Sequence, residues 1–121
     1  MRGIRGAITV KKNERHEILR FTEKLLDKII RENNIDRDEI VSIIFTATSD
    51  LNKVYPAVAA RKMGFTDVPL MCYQELSIEG SLERCIRIML YINRDCKHAE
   101  LNHIYLEKAK ELRPDLVDNK G

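Results

Sequence analysis

From Cys85 to Ile92 the chain alternates: Ile86, Ile88, Leu90 and Ile92 share one face of an extended segment, and Cys85, Arg87, Met89 and Tyr91 share the other. Both faces are mostly apolar, which predicts a strand covered on both sides. Arg87 stands in its middle. A guanidinium stays charged in a protein, so covering it requires an anionic partner and several hydrogen-bond acceptors. Glu75, just after the strand-like run Val68 to Tyr73, can serve, and so can an anionic ligand.

The same pattern reading orders the rest of the chain. Residues 3 to 10 predict a first strand, with Arg5, Ala7 and Thr9 on one face and Ile4, Ile8 and Val10 on the other. Gly3 and Gly6 bracket Arg5 and predict close backbone approach there. Ile18, Phe21, Leu25 and Ile29 recur at helical spacing and predict a helix over 14–32, capped by Asn13 and ended by Asn33-Asn34. Asp36 to Glu39 has capping-box spacing. Residues 40–48 predict a strand whose apolar face is Val41, Ile43, Phe45 and Ala47, with Ile40, Ser42, Ile44, Thr46 and Thr48 opposite. Pro56 opens a second helix that stops at Gly64, and Pro69 is confined to the start or edge of a strand over 68–73. A turn at Gly80-Ser81 precedes the strand described above, and Asp95 to Leu101 predicts one helical turn. Residues 102–107 alternate again, with Ile104 and Leu106 inward and Tyr105 opposite. The tail, about 112–121, predicts irregular structure anchored by Leu112 and Leu116.

This order, strand-helix-strand-helix and then three strands, predicts an α/β (α+β) fold. It is a single domain over 1–121, a five-stranded mixed sheet with helices on one face. The other sheet face, carrying Thr46, Cys72, Met89, Tyr91 and Tyr105, is too apolar to stand in water. A homo-oligomer that packs these faces together solves that problem.

Composition narrows the function classes. Among 121 residues, 21 basic and 19 acidic side chains leave a net charge of +2 with no basic stripe, so no nucleic-acid partner is expected. No apolar run is long enough to span a bilayer and no signal peptide is evident, so no membrane role and a cytoplasmic location are expected. Cys72, Cys85 and Cys96 lack metal or redox spacing, and His16, His98 and His103 form no ligand pair. Nucleotide loops and nucleophile elbows are absent, so neither metal nor cofactor is expected. The chemistry left is three arginines, Arg5, Arg61 and Arg87, with Glu75, Cys72 and a tyrosine, near strand ends or on loops. Solvent-facing arginines are the plain alternative for Arg5 and Arg61, and an internal ion pair with Glu75 for Arg87. Brought together, guanidinium forks select a small dicarboxylate and act by orientation and electrostatics.

The opening RGIRGAITV, the pair PLMCYQE and RCIRI, and the closing HIYLEKAKELRPDL resemble the AroH class of monofunctional chorismate mutases, in family order over about residues 2 to 116. The resemblance implies a homotrimeric pseudo-α/β-barrel with active sites between subunits. It also implies the cofactor-free Claisen rearrangement of chorismate to prephenate. Carried over by position, it implies that Arg87 faces the breaking ether bond and that Arg5 and Tyr105 hold a carboxylate. Glu75 and Cys72 contact the ring hydroxyl, and Arg61 guards the cleft entrance. Tyr55 stands where the family usually has phenylalanine, Val58 where some members have lysine, and Met71 where some have a smaller polar residue. Tyr55, Met71 and Leu112 complete the substrate-binding set. The alternatives are a Rid-type imine deaminase, which shares a similar trimeric barrel, and a non-catalytic binder of small anionic metabolites.

Overall fold

The computed structural model describes residues 1–116. Strand β1 runs Arg2–Thr9, β2 Ile40–Ala47, β3 Leu70–Gln74, β4 Cys85–Ile92 and β5 Ile104–Leu106; helix α1 is Arg15–Glu32 and α2 is Ala57–Lys62. Short 3-10 turns cover Arg37–Glu39, His98–Glu100 and Glu107–Glu111. The sheet order is β3-β2-β4-β1-β5, so β4 lies at the centre. It runs antiparallel to both β1 and β2, while β2 and β3, and β1 and β5, pair parallel. This is the mixed α+β sheet that the pattern predicts.

Both helices cover one sheet face. Ile18, Phe21, Leu25, Leu26 and Ile29 of α1 pack with Ile4, Ile8, Ile43, Phe45, Ile86, Ile88, Leu90 and Ile92, and α2 adds Ala57 and Ala60. At Gly6 both α1 and β5 crowd against β1. A Cβ there would sit 2.6 Å from Ile29 Cδ1 and 3.2 Å from the Ile104 carbonyl, so the close approach predicted beside Arg5 is present.

Two expectations change. Asn13 does not cap α1: the N-cap is Glu14, with no side-chain cap. Asn13 instead donates to Asn52 Oδ1 at 2.8 Å and accepts the Asn52 amide at 3.1 Å, fastening the loop before α2 to the helix start. Val41 is not on the apolar face of β2. A bulge between Ile40 and Ser42 shifts the register, so Ile40, Ile43 and Phe45 face the helices and Val41 is exposed. As expected, the second sheet face lacks cover: among the described residues it is open along β2–β4 and covered at the β1–β5 end. There the Glu107–Glu111 turn, Leu112 and Leu116 pack on Ala7, Cys85 and Tyr105. Leu112 and Leu116 thus anchor the tail as predicted, and its last part, residues 117–121, lies outside the described residues.

The capping box at Asp36 and Glu39 is formed, and Gly64 ends α2 at φ +97°. At the far end of α1, buried Asn33 ties the helix to the segment entering β5. Its Nδ2 donates to the Ile29 and Asn102 carbonyls, each at 2.9 Å, and its Oδ1 accepts the Asn102 amide at 2.8 Å. Every hydrogen-bonding group of a buried amide is therefore matched, and truncation strands its partners. Asn33→Ala is expected to lower unfolding free energy by about 2–3 kcal/mol. Urea titration reads this as an earlier midpoint at unchanged slope; an unmoved midpoint would mean that the latch contributes nothing.

Candidate active site

One rung of the sheet crosses all five strands on the face away from the helices. Tyr105 pairs with Ala7, Ala7 with Arg87, Arg87 with Thr46, and Thr46 with Tyr73. Pleating sends all five side chains to the same side. Arg5 lies two residues from Ala7 along β1, and Glu75 two beyond Tyr73, so both reach that side as well. Arg5, Thr46, Glu75, Arg87 and Tyr105 with Ile44 and Met89 line a cavity of about 190 Å³.

The rung is held by backbone contacts at its edges. The Glu75 amide donates to the Ala47 carbonyl at 2.9 Å, prolonging the β2–β3 ladder by one residue. Thr48 Oγ1 accepts the Cys85 amide at 3.0 Å, and both carboxylate oxygens of Asp50 accept the Arg84 amide, at 3.1 and 2.9 Å. Arg84 has φ +47°, a left-handed conformation that the Asp50 carboxylate holds at the mouth of β4. These bonds fix where β4 begins, and with it the side to which Arg87 points.

Arg87 and Glu75 are neighbours without forming a fork. Arg87 Nε stands 3.6 Å from Glu75 Oε1, beyond hydrogen-bond range, and the Arg87 side chain is 46% exposed. Among the described residues nothing covers the middle of that sheet face, the face whose cover the alternation assigns to a homo-oligomer. The other oxygen of Glu75, Oε2, accepts a short hydrogen bond from the Thr46 hydroxyl. Thr46 was not among the predicted site residues; its only signal was a hydroxyl on the mixed face of β2. Two guanidiniums, Arg5 and Arg87, share the cavity with one carboxylate, which leaves it positive overall. An anion suits such a lining.

The remaining predicted residues lie elsewhere on the chain. Cys72 pairs with Phe45 and packs toward the helix layer, not on the open face where the alternation put it, because β3 joins β2 in that register. It lines a separate cavity of about 560 Å³ with Tyr55, Pro56, Val58, Tyr73, Arg15 and Lys53. Tyr55 is 70% exposed at its rim, and Met71 on β3 is exposed on the opposite sheet face. Arg61 is exposed on the last turn of α2. Leu112 packs below Tyr105. One chain therefore gathers Arg5, Glu75, Arg87 and Tyr105, and carries Tyr55, Arg61 and Cys72 around a different edge.

The thiols are not set up as nucleophiles. Burial pushes Cys85 up to about 11, against the pull of Arg87, and burial raises Cys72 too, outweighing a backbone hydrogen bond at Ala57 and the nearby Arg61. Both stay protonated at neutral pH, and a thiol is a poor nucleophile. Among the described residues no cluster of His, Cys, Asp and Glu has the makings of a metal site.

Known proteins share this architecture and sequence. A family model described as chorismate mutase type I matches residues 1–116. The chorismate mutase AroH of Bacillus subtilis (strain 168) is 44% identical over 122 aligned positions, covering 100% of this chain and 96% of that protein. The AroH of Thermus thermophilus is 43% identical over 117, covering 96% of each. A solved chorismate mutase from Clostridium thermocellum superimposes with a TM-score of 0.90 at 46% identity, over 92% of this chain and 99% of that one.

Proposed function

The chain belongs to the type I chorismate mutase family, and from that premise we propose that Arg87, Glu75, Arg5 and Tyr105 form the reacting centre of its chorismate mutase activity. The reaction is an isomerisation: chorismate becomes prephenate as an ether C–O bond breaks and a C–C bond forms, with no net transfer of atoms or electrons. It needs no co-reactant, metal or redox group. It needs a folded chair-like substrate and stabilisation of the charge that gathers on the ether oxygen as that bond stretches.

The observation that carries this reading is the geometry of Arg87. A guanidinium on the central strand, steadied by Glu75 at 3.6 Å yet not capped by a bidentate fork, keeps donors for an oxygen that becomes negative only in the transition state. Glu75, held by the Thr46 hydroxyl, presents a carboxylate oxygen to the substrate's ring hydroxyl. Arg5 and Tyr105, across the rung, hold a substrate carboxylate and so fix the compact conformer. One well-placed donor in a dry site is worth ~3–4 kcal/mol. Low-end enzymatic accelerations need about 8 kcal/mol, so Arg87 supplies a large share and positioning much of the rest.

The cleft is completed by a second copy of the chain. Three features support a homotrimer: the open sheet face with Val41, Met71 and Tyr73 exposed, the exposed Leu76 and Ile78 beside Glu75, and the separation of Tyr55, Arg61 and Cys72 from the reacting centre. In that assembly a neighbour's Tyr55, Arg61, Cys72 and Met71 close the mouth, and Leu112 backs Tyr105 from below. Among the described residues no helix is long and apolar enough to cross a membrane, and a cytoplasmic place in aromatic amino acid biosynthesis suits three free cysteines.

Incubation with chorismate tests the reading. Loss of chorismate absorbance with stoichiometric prephenate supports it. Binding without turnover, or hydrolysis of imines in its place, would overturn it.

A further inference from the structure

We infer that His103 is a positioning residue for Arg5: a neutral ring that holds the β1 backbone where the guanidinium must sit, and whose protonation weakens binding of a dianionic substrate. The inference rests on the reading of Arg5 as a carboxylate ligand. Strand β5 is only three residues long, and its parallel ladder with β1 begins at the pair Gly6 and Ile104. Arg5 thus lies one residue short of a backbone partner on that side. His103, the residue before β5, fills the gap with its side chain, accepting the Arg5 amide at Nδ1 at 3.0 Å. Asn33 and Asn102 fix the segment that brings the ring in.

An Nδ1 that accepts a hydrogen bond carries no proton, so the neutral ring bears its hydrogen on Nε2. Nε2 lies 3.4 Å from Arg5 Nη2. Both are then donors, so that contact is packing rather than a bond, and it sets the ring against the guanidinium itself. Burial first, then Arg5, Arg113 and His98, hold the His103 pKa below the ordinary histidine value. These three charged or titratable groups act on the ring from β1, from the segment after the Glu107–Glu111 turn and from the His98–Glu100 turn. The carboxylate in that region, Asp115, is paired with Arg113, Nη2 to Oδ2 at 2.8 Å. A proton added to the ring turns Nδ1 into a donor facing the Arg5 amide and places a second cation beside the fork, and both effects displace Arg5.

The sign follows from linkage. A histidine whose folded pKa is depressed binds its proton more readily in the unfolded chain. Its contribution to stability is complete above the unfolded value near ~6.5 and is lost as pH falls from there toward the folded value. Substrate binding should weaken over the lower part of that window.

The test measures kcat and KM for chorismate from about pH 5 to about pH 8 in the wild type, His103→Asn, His103→Ala and Arg5→Ala, with ¹⁵N NMR of the ring. Wild-type KM is expected to rise roughly tenfold on acidification, the size of one charge-assisted hydrogen bond lost, with kcat nearly flat. His103→Asn, whose Oδ1 can replace Nδ1 as acceptor, should keep the neutral-pH KM and lose the acid rise. His103→Ala should have a raised KM at every pH. An acid rise of wild-type size in His103→Asn, or a proton on Nδ1 at neutral pH, would overturn the inference. An Arg5→Ala variant with unchanged KM would instead remove the reading of Arg5 as a carboxylate ligand, a result distinguishable because the NMR tautomer does not depend on it.

Discussion

Arg87→Ala is expected to lower kcat by about 10²–10³-fold or more while the protein stays folded. The two halves of that expectation have separate grounds. Turnover should fall because, in the proposed role, the donor lost acts on charge that exists only midway through the reaction, so the ground state gains nothing in compensation. Stability holds because the contact with Glu75 is long and Arg87 is nearly half exposed. Solvent-exposed pairs of this kind contribute about 0–1 kcal/mol. Arg87→Lys should recover little, since an ammonium on a flexible stem does not reproduce a planar fork steadied from Glu75. Steady-state kinetics beside a thermal melt separates the effects. Near-normal kcat in the alanine variant would remove Arg87 from the reacting centre, and a collapsed melt would make it a structural residue.

Dilution to monomers should abolish activity, and mixing should restore what two inactive variants lack. The chain gathers Arg5, Glu75, Arg87 and Tyr105 at one cavity and holds Tyr55 and Cys72 at another, so the proposed complete cleft would draw on two chains. Arg87→Ala and Arg61→Ala, each deficient alone, are expected to regain activity when unfolded and refolded together. In a randomly mixed trimer about one cleft in four receives both native arginines. Recovery of that order, absent when the two are mixed without exchange, supports a shared cleft. A verified monomer that turns over chorismate would show the site to be complete within one chain.

Much of this molecule is legible in its alternations. The strand from Cys85 to Ile92, the helix stripe from Ile18 to Ile29 and the Pro56–Gly64 bracket of α2 all appear where their periods put them. What escapes is register. A single bulge residue returns Val41 to solvent, and no property of valine announces it. Cys72 lies on the helix side because of how an edge strand joins its neighbour, which is a property of two segments and not of one. Arg87 shows a different gap. Its strand is apolar on both faces, yet among the described residues the middle of only one is covered, and the proposed homotrimer is what would cover the other. Thr46 had no motif to mark it, and His103 opens the HIYLEKAKELRPDL segment without a role being assigned to it there. Their roles come from a hydroxyl and a ring nitrogen meeting groups 29 and 98 residues away in the chain.

The rung from Tyr105 to Tyr73 has a consequence for quality control. Suppose β4 paired one residue out of step: Arg87 would turn into the oily layer beneath the helices, and Ile86 and Ile88 would turn to water. Such a chain would forfeit both its burial and its chemistry. Misassembled copies would then be exposed to degradation instead of lingering as well-folded but inert enzyme, and any pressure to keep the catalyst working would also police the threading of the sheet.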